Sequence, residues 1–212
     1  MASAAPFDPS LQTALLLIDN QRGIDRNNTA YWGPSSSNPG YEKNVVKLLA
    51  CFRSASKARN PPIVHIFHVG HSSLSPKSPL HPDHPGRGIE FSPDLVPSEN
   101  ELVFWKHVNS AFVGTKLEDV LREKGVKQLV VAGLTTDHCV STSIRMAANL
   151  AVVGDGGRII LAEDSTFTFA KSGYDAETVH GVSVATLKDE FAEIWKTSDI
   201  IDEMRRFGNL PN

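Results

Sequence analysis

Cysteine is scarce in this chain, since Cys51 and Cys139 are its only two thiols in 212 residues. Two cysteines are too few for a disulfide framework, and they do not have the paired spacing of a structural zinc site. Each thiol must therefore be judged by its local sequence. Cys51 borders the apolar stripe of a predicted helix, which indicates a core residue.

Long apolar runs and a surplus of positive charge are also missing. No segment approaches the roughly 20 apolar residues of a membrane-spanning helix, and residues 1–10 have neither the basic nor the apolar part of a secretory signal. The formal net charge is -3, with lysine and arginine scattered along the chain, so nothing suggests a surface for nucleic acid. We expect a cytoplasmic protein that acts on a small molecule.

The composition predicts one globular domain over residues 1–212, because 41% of the residues are hydrophobic and 21% are charged. Apolar strand-like runs alternate with helical patterns. The predicted strands are Thr13–Ile18, Ile63–Phe67, Leu102–Trp105, Gln128–Ala132, one that begins with Arg158–Leu161, and Ala192–Trp195. The predicted helices are Tyr41–Arg59, one carrying Leu117 to Leu121 and ending near Gly125, Asp137–Leu150, Asp175–Glu190 and Thr197–Arg206. This order predicts a three-layer α/β/α sandwich around a mainly parallel, roughly six-stranded sheet.

Two irregular segments interrupt the pattern. Residues 69–100 are rich in proline and histidine and have no regular period, and a loop of this length in a compact domain is usually functional or mobile. The helix before it is predicted to stop at Asn60-Pro61-Pro62. Gly154–Gly157 lacks the spacing of a phosphate-binding loop and precedes a strand, so we interpret it as a turn.

Three reactive side chains follow predicted strands. Asp19 comes after the first strand, Lys106 after the third, and Cys139 lies just beyond the fourth, in the first turn of a helix. Open parallel sheets place their sites at the carboxyl ends of their strands, so these three groups are expected to meet. A helix N-terminus and a nearby ammonium would favour a thiolate at Cys139, and Asp19 could accept the thiol proton.

The segments around these residues carry a family resemblance. They read LLLIDNQ at 15–21, WKHVNSAFVGTKLEDVLREKG at 105–125 and VVAGLTTDHCVSTSIRMA at 130–147. Together they resemble the isochorismatase-like cysteine hydrolases, among them nicotinamidase, N-carbamoylsarcosine amidohydrolase and ureidoacrylate amidohydrolase, over nearly the whole chain. The resemblance implies that Asp19 is the general base and acid, Cys139 the nucleophile, and Lys106 the cation that supports the thiolate. Relatives of this kind are commonly oligomers, so we expect a homo-oligomer.

The turn from the fourth strand into the Cys139 helix is the predicted oxyanion hole. Backbone N–H groups of Thr135 and Cys139 would stabilise the negative oxygen of a tetrahedral intermediate. We also expect a cis peptide between Leu134 and Thr135, as in the similar hydrolases.

The predicted pocket is small and partly aromatic. Its candidate walls lie near strand ends or on adjoining loops, although ordinary packing is the alternative for each aromatic ring. The candidate substrate-binding residues are Gln21, His68, Trp105, Phe112 and Thr136, with Ile24, Tyr31 and Trp32 nearby.

The eight histidines raise the question of a metal site. Nicotinamidase-type relatives hold a metal with an Asp-x-His pair after the second strand, where this chain reads His68-Val69-Gly70. We therefore predict no metal and no other cofactor. The alternative is a site improvised from the loop between His71 and His84, with Asp83 as a further ligand.

The favoured activity is hydrolysis of a C–N bond in a small amide, ureido or lactam substrate through a thioester on Cys139. One alternative is vinyl-ether hydrolysis of the isochorismate type, which uses Asp19 as an acid and needs no thiol. The other is a noncatalytic binding protein that retains the fold. A serine nucleophile is disfavoured because no G-x-S-x-G motif occurs.

Overall fold

The computed structural model describes residues 6–59 and 62–207. Its centre is a six-stranded sheet with the order β3-β2-β1-β4-β5-β6, in which every neighbouring pair is parallel. The strands are β1 (Thr13–Ile18), β2 (Val64–His71), β3 (Leu102–Lys106), β4 (Gln128–Leu134), β5 (Arg158–Phe167) and β6 (Glu193–Trp195).

Helices cover both faces of this sheet. They are α1 (Thr29–Trp32), α2 (Tyr41–Lys57), α3 (Leu117–Glu123), α4 (Ser141–Asn149), α5 (Ala176–Ala185) and α6 (Thr197–Met204). Short 3₁₀ turns occur at Pro93–Leu95 and Arg205–Phe207, and a π-type turn spans Thr136–Val140. In the described part of the chain, none of the helices has the length and apolarity needed to cross a membrane.

Strand β1 shows why the helices divide into two layers. All six of its residues are buried, because a central parallel strand is covered on both faces. Leu15 and Leu17 pack into the cluster formed with α2 and α6, whereas Leu16 and Ile18 pack into the cluster formed with α3, α4 and α5. The alternation of one strand between two apolar clusters confirms the predicted three-layer sandwich.

Several predicted boundaries were wrong, and the second strand matters most for the site. We placed its end at Phe67, but β2 continues to His71 because its pairing with β1 reaches Val69 and its pairing with β3 reaches His71. His68 therefore lies inside a strand. Strand β3 likewise includes Lys106, and β4 extends to Leu134.

The predicted helices also differ at their ends. The Asp137–Leu150 helix is a π-type turn followed by α4. The predicted Asp175–Glu190 helix ends at Ala185. The N–H of the next residue, Thr186, donates to Val182 O and Val184 O and caps the helix. The first long helix ends at Lys57, and Asn60 and Pro61 of its predicted stop signal lie outside the described residues.

The long Pro- and His-rich loop packs against the segment that follows β1. Arg22 N–H donates to Glu90 O at 2.8 Å, Gly23 N–H donates to Gly88 O at 2.8 Å, and Ser92 N–H donates to Asn20 O at 2.9 Å. These bonds hold the loop beside the carboxyl end of β1. The loop therefore forms part of the frame around the strand ends.

Gly133 provides a test of the packing between β1 and β4. Its φ is +119°, and a Cβ atom there would lie 2.0 Å from Ile18 O. We expect Gly133→Ala to lower the free energy of unfolding by more than about 3 kcal/mol, because it adds backbone strain to a clash with a neighbouring strand. Urea unfolding followed by circular dichroism measures this.

Gly181→Ala is the matched control. Gly181 is exposed within α5, and a Cβ there would have nothing within 4 Å. Alanine should be neutral or raise the free energy of unfolding by up to about 1 kcal/mol, because it is the better helix former. Wild-type stability of the Gly133→Ala protein would contradict the close approach of the two strands.

Candidate active site

The candidate site lies where the direction of strand addition reverses. From β1 the chain adds β2 and then β3 on one side, and it returns to add β4 on the other side of β1. Such switch points open a crevice at the carboxyl ends of the strands. Asp19 follows β1 directly, and the Thr136–Val140 turn begins two residues beyond the end of β4.

The Lys106 ammonium forms the centre of the site. Its Nζ donates to Asp19 Oδ2 at 2.7 Å and to Cys139 Sγ at 3.3 Å. The side chains of Lys106 and Asp19 are 0% and 1% exposed. The structure thus brings together the three residues that the sequence placed at strand ends, in a buried ion pair beside a thiol.

Asp19 leaves β1 in an unusual backbone conformation. Its φ is +51°, a left-handed value that aspartate tolerates better than most residues. Asp19 N–H donates to Val69 O at 2.8 Å, and Gln21 N–H donates to Asp19 O at 2.8 Å. These bonds hold the first residue after β1 against β2.

The turn that carries Cys139 is anchored from several directions. The peptide between Leu134 and Thr135 is cis. Thr136 Oγ1 lies 2.9 Å from Thr166 Oγ1 and 3.0 Å from His180 Nδ1. Both groups are buried or nearly so, so the turn is held through the side chain that precedes Asp137.

Asp137 supplies a second anchor on the same turn. Its carboxylate accepts hydrogen bonds from Thr168 Oγ1 and Lys171 Nζ, and these donors hold its pKa below the usual value although burial opposes them. Sequence reasoning did not identify Asp137 or His180 as supports. The sequence offers no periodic signal for them, because the partners described here are 31 or more residues away.

Burial dominates the electrostatics of the centre. It raises the pKa of Asp19, and the positive charge of Lys106 opposes this shift. Burial, reinforced by the negative charge of Asp19, raises the pKa of the Cys139 thiol to about 12, again against Lys106. With a pKa of about 12, the Cys139 thiol keeps its proton at neutral pH, and Asp19 is the negative partner of Lys106 in the ion pair.

The second carboxylate oxygen of Asp19, the buried Oδ1 atom, has no hydrogen bond of normal geometry within residues 6–59 and 62–207. The Cys139 thiol nevertheless lies close enough to affect the pKa of Asp19. A buried acceptor without a partner is costly. Such an oxygen is a ready acceptor for a proton that leaves the neighbouring thiol.

His71 is a fourth member of the cluster, although the sequence suggested it only as part of the loop in the metal alternative. It is the last residue of β2, and its Nδ1 lies 3.1 Å from Lys106 Nζ. Burial and the positive charges of Lys106 and His107 lower its pKa to about 4, so the ring is neutral at neutral pH. Because the second strand was predicted to end at Phe67, the sequence did not place His71 at a strand end.

Two of the predicted substrate-binding residues, Gln21 and Thr136, form hydrogen bonds within the protein that hold neighbouring segments in place. Gln21 is 1% exposed, and its amide donates to His71 O at 3.0 Å and to Ile89 O at 2.7 Å while its oxygen accepts from His71 N–H at 2.8 Å. Thr136 is fully buried and bonded as described above. Neither side chain has a polar atom left for a ligand in this arrangement.

The remaining three candidates have different surroundings. His68 is 0% exposed, with Nε2 2.8 Å from a Glu101 oxygen and its ring edge-on to Phe91. Phe112 is 8% exposed and packs in the cluster beneath α3 and α4. Trp105 is 44% exposed, and its ring packs against Gly70 and Phe91.

A cavity of about 360 Å³ lies on the α2 side of the sheet, next to the centre but not in it. Gln21 and Leu134 form part of its wall, together with Tyr41, Val46 and Phe167, whereas Cys139 does not. Lys106 and Cys139 lie on the side of α3 and α4. We therefore locate the chemistry by the contacts of Lys106 and not by the size of this cavity.

The geometry of the cluster bears on metal binding. In the described part of the chain, Asp19, His71 and Cys139 form the only group of three potential ligands, with ligand atoms within 4.8 Å of one another. Lys106 Nζ contacts all three, so a metal ion would face the ammonium at the same point. In the loop alternative, the Nδ1 atoms of His81 and His84 already accept backbone N–H groups.

We expect the protein to be independent of metal ions, because the ammonium takes the central position. Dialysis against a chelator should leave the melting temperature unchanged, and zinc or manganese added afterwards should not raise it. Differential scanning calorimetry makes the comparison, and ammonia release repeats it once a substrate is found. Loss of stability or turnover that returns with metal would contradict this prediction.

Comparison with known proteins agrees with this fold. The architecture is that of isochorismatase-like α/β hydrolases: a protein of the isochorismatase family from Chromobacterium violaceum superposes with a TM-score of 0.79 at 35% identity, covering 96% of this chain and 99% of that one. The isochorismatase domain model matches residues 13–199, and the chain belongs to the isochorismatase family of hydrolases. The predicted family resemblance is confirmed.

Two curated relatives show the range of similarity. The isochorismatase family protein YrdC of Bacillus subtilis is 35% identical over 195 residues, which cover 90% of this chain and 95% of the relative. The ureidoacrylate amidohydrolase RutB of Agrobacterium fabrum is 29% identical over 114 residues, covering 51% of this chain and 48% of that protein.

Proposed function

We propose that this protein hydrolyses a C–N bond of a small amide, ureido or lactam substrate through a thioester on Cys139. The observation that carries the proposal is the simultaneous donation of the buried Lys106 ammonium to Asp19 Oδ2 and Cys139 Sγ. The unpartnered Asp19 Oδ1 adds a proton acceptor at the same point. A nucleophile, a base and an orienting cation are the parts that covalent catalysis needs.

In the first step, Cys139 Sγ attacks the substrate carbonyl carbon while its proton passes to Asp19. An S–C bond forms, and the electron pair of the C=O bond moves onto oxygen. In our mechanism, the N–H groups of Thr135 and Cys139 donate hydrogen bonds to this oxyanion. Lys106 compensates for the negative charge that moves between carboxylate and sulfur.

In the second step, the tetrahedral intermediate collapses to the thioester. The C–N bond breaks, and its nitrogen takes the proton held by Asp19, so ammonia or an amine departs, or a lactam ring opens with the amine still attached to the acyl group. Water then attacks the thioester and gives a proton to Asp19. The C–S bond breaks, the proton returns to sulfur, and the product leaves as a carboxylic or carbamic acid.

The raised pKa of Asp19 suits this double role. A general base and acid works best when its pKa lies near the operating pH, and burial moves Asp19 in that direction. The raised pKa of the thiol means that it is activated only as Asp19 takes its proton. The RutB relative, named as a ureidoacrylate amidohydrolase, supports an amide-type substrate.

Vinyl-ether hydrolysis is the second candidate, and the same raised pKa of Asp19 favours it. A carboxyl group that holds its proton more readily could protonate a vinyl ether without a thiol. A noncatalytic binding role does not explain why the Asp19–Lys106 pair is buried, although burying it costs desolvation energy.

Trp105 is our proposed substrate contact, and the cytoplasmic location and homo-oligomer stay predictions.

Replacement of the nucleophile separates the two chemistries. We expect Cys139→Ala to abolish hydrolysis in a panel of small amides, ureido compounds and lactams, because no group remains to form the thioester. The measurements are ammonia release and the mass of a trapped acyl-enzyme. Cys51→Ala is the matched control and should retain turnover, since Cys51 lies in α2 against the opposite cluster. Turnover of these substrates by Cys139→Ala would contradict the thioester mechanism.

The two partners of the thiol should have distinct effects. Asp19→Asn should lower kcat by about 10²- to 10⁴-fold, the usual contribution of positioned proton transfer. Lys106→Met should slow alkylation of Cys139 by iodoacetamide at neutral pH, because the thiolate loses its cation. Circular dichroism establishes that each variant is folded. An unchanged alkylation rate in folded Lys106→Met would contradict the role given to Lys106.

A further inference from the structure

Three acceptors surround the Lys106 ammonium. An ammonium group carries three N–H donors and no acceptor. The three contacts of Nζ are Asp19 Oδ2 at 2.7 Å, His71 Nδ1 at 3.1 Å and Cys139 Sγ at 3.3 Å. Since the side chain is 0% exposed, water does not replace any of them. Each hydrogen therefore has one acceptor, and the ammonium has one orientation.

The contact with Lys106 determines the tautomer of His71. A neutral imidazole has one donor nitrogen and one acceptor nitrogen. Because Nδ1 faces a group that can only donate, Nδ1 must be the acceptor and the proton must lie on Nε2. Protonation of both nitrogens would place two donors against each other at 3.1 Å.

The backbone of His71 is held independently of its ring. Gln21 accepts from His71 N–H at 2.8 Å and donates to His71 O at 3.0 Å. His71 also pairs with Lys106 in the register of β2 and β3, and Ser72 N–H donates to Lys106 O at 2.9 Å. The ring and the ammonium are thus attached to adjacent strands that cannot slide apart.

We infer that His71 is a positioning residue of this centre, which as the Nε2–H tautomer accepts the third hydrogen bond of Lys106 and so keeps one N–H directed at Cys139 Sγ. This inference rests on the proposed function for its purpose. Without the acceptor, a buried charged donor is left unsatisfied, a loss larger than that of a neutral hydrogen bond. The ammonium is then free to turn away from sulfur, and the thiolate loses support.

A matched pair of variants tests the acceptor. His71→Asn places an amide oxygen near the position of Nδ1, whereas His71→Leu branches at the same carbon as Asn and has no acceptor. We expect His71→Asn to alkylate Cys139 with iodoacetamide at neutral pH within about twofold of wild type, and His71→Leu about tenfold more slowly. Mass spectrometry of the Cys139 peptide gives the rates, and the Cys51 peptide is the internal control. Equal rates in the Asn and Leu variants would overturn the inference.

The wild-type protein supplies a measurement that does not depend on a variant's stability. Long-range ¹H–¹⁵N correlation spectra of ¹⁵N-histidine-labelled protein distinguish the tautomers, and the signals lost in His71→Asn identify His71. We expect the Nε2–H form at neutral pH. An Nδ1–H form or an imidazolium would overturn the inference.

These results are independent of the result with Cys139→Ala. Alkylation and tautomer need no turnover, so they can support the role of His71 even if the thioester mechanism fails. Conversely, equal Asn and Leu rates would remove His71 from the centre and leave the roles of Asp19, Lys106 and Cys139 untouched.

Discussion

The burial of one ammonium group is the constraint on which this structure depends. A charge removed from water is tolerated only when it is paired and its hydrogen-bonding groups are satisfied. Lys106 meets this condition through Asp19, His71 and Cys139. Its partners come from the ends of β1 and β2 and from the turn after β4, so a change in the position of any of these elements exposes an unsatisfied charge.

The need to keep the acceptors of Lys106 in place explains the polar groups that surround the centre. Gln21 holds the backbone of His71, and Asp137 and Thr136 hold the turn that carries Cys139. These residues are buried or half-buried polar groups that do not themselves touch Lys106. They keep the acceptors in place, and so they support the centre without belonging to its chemistry.

The cluster also combines properties that are hard to obtain at a surface. The same burial that raises the pKa of Asp19 and of the Cys139 thiol keeps the resting thiol protonated and gives the carboxylate more affinity for a proton. The positive charge of Lys106 opposes both pKa shifts. Lys106 also balances the one negative charge of the cluster, whether that charge is on the Asp19 carboxylate or on the Cys139 sulfur. Proton transfer within a closed neutral group is the property that our proposed mechanism uses.

The apolar pattern of the sequence alone determined the layers of this protein and the order of its main elements. Buried strands such as Thr13–Ile18 can be recognised in the sequence because a strand that is covered on both faces is mostly apolar along its whole length. The positions of Asp19, Lys106 and Cys139 after such runs followed from the same pattern, and so did the expectation that they meet, because parallel strands bring their carboxyl ends to one edge.

Only the tertiary structure decided which polar residues support the centre. His71 and Gln21 join it because β2 runs four residues beyond its apolar core, and pairing with both neighbouring strands stabilises that extension. His68 is enclosed for the same reason, although its sequence position suggested a pocket wall. Contacts between residues distant in the chain leave no periodic trace, since a hydrogen bond depends on where two side chains meet in space.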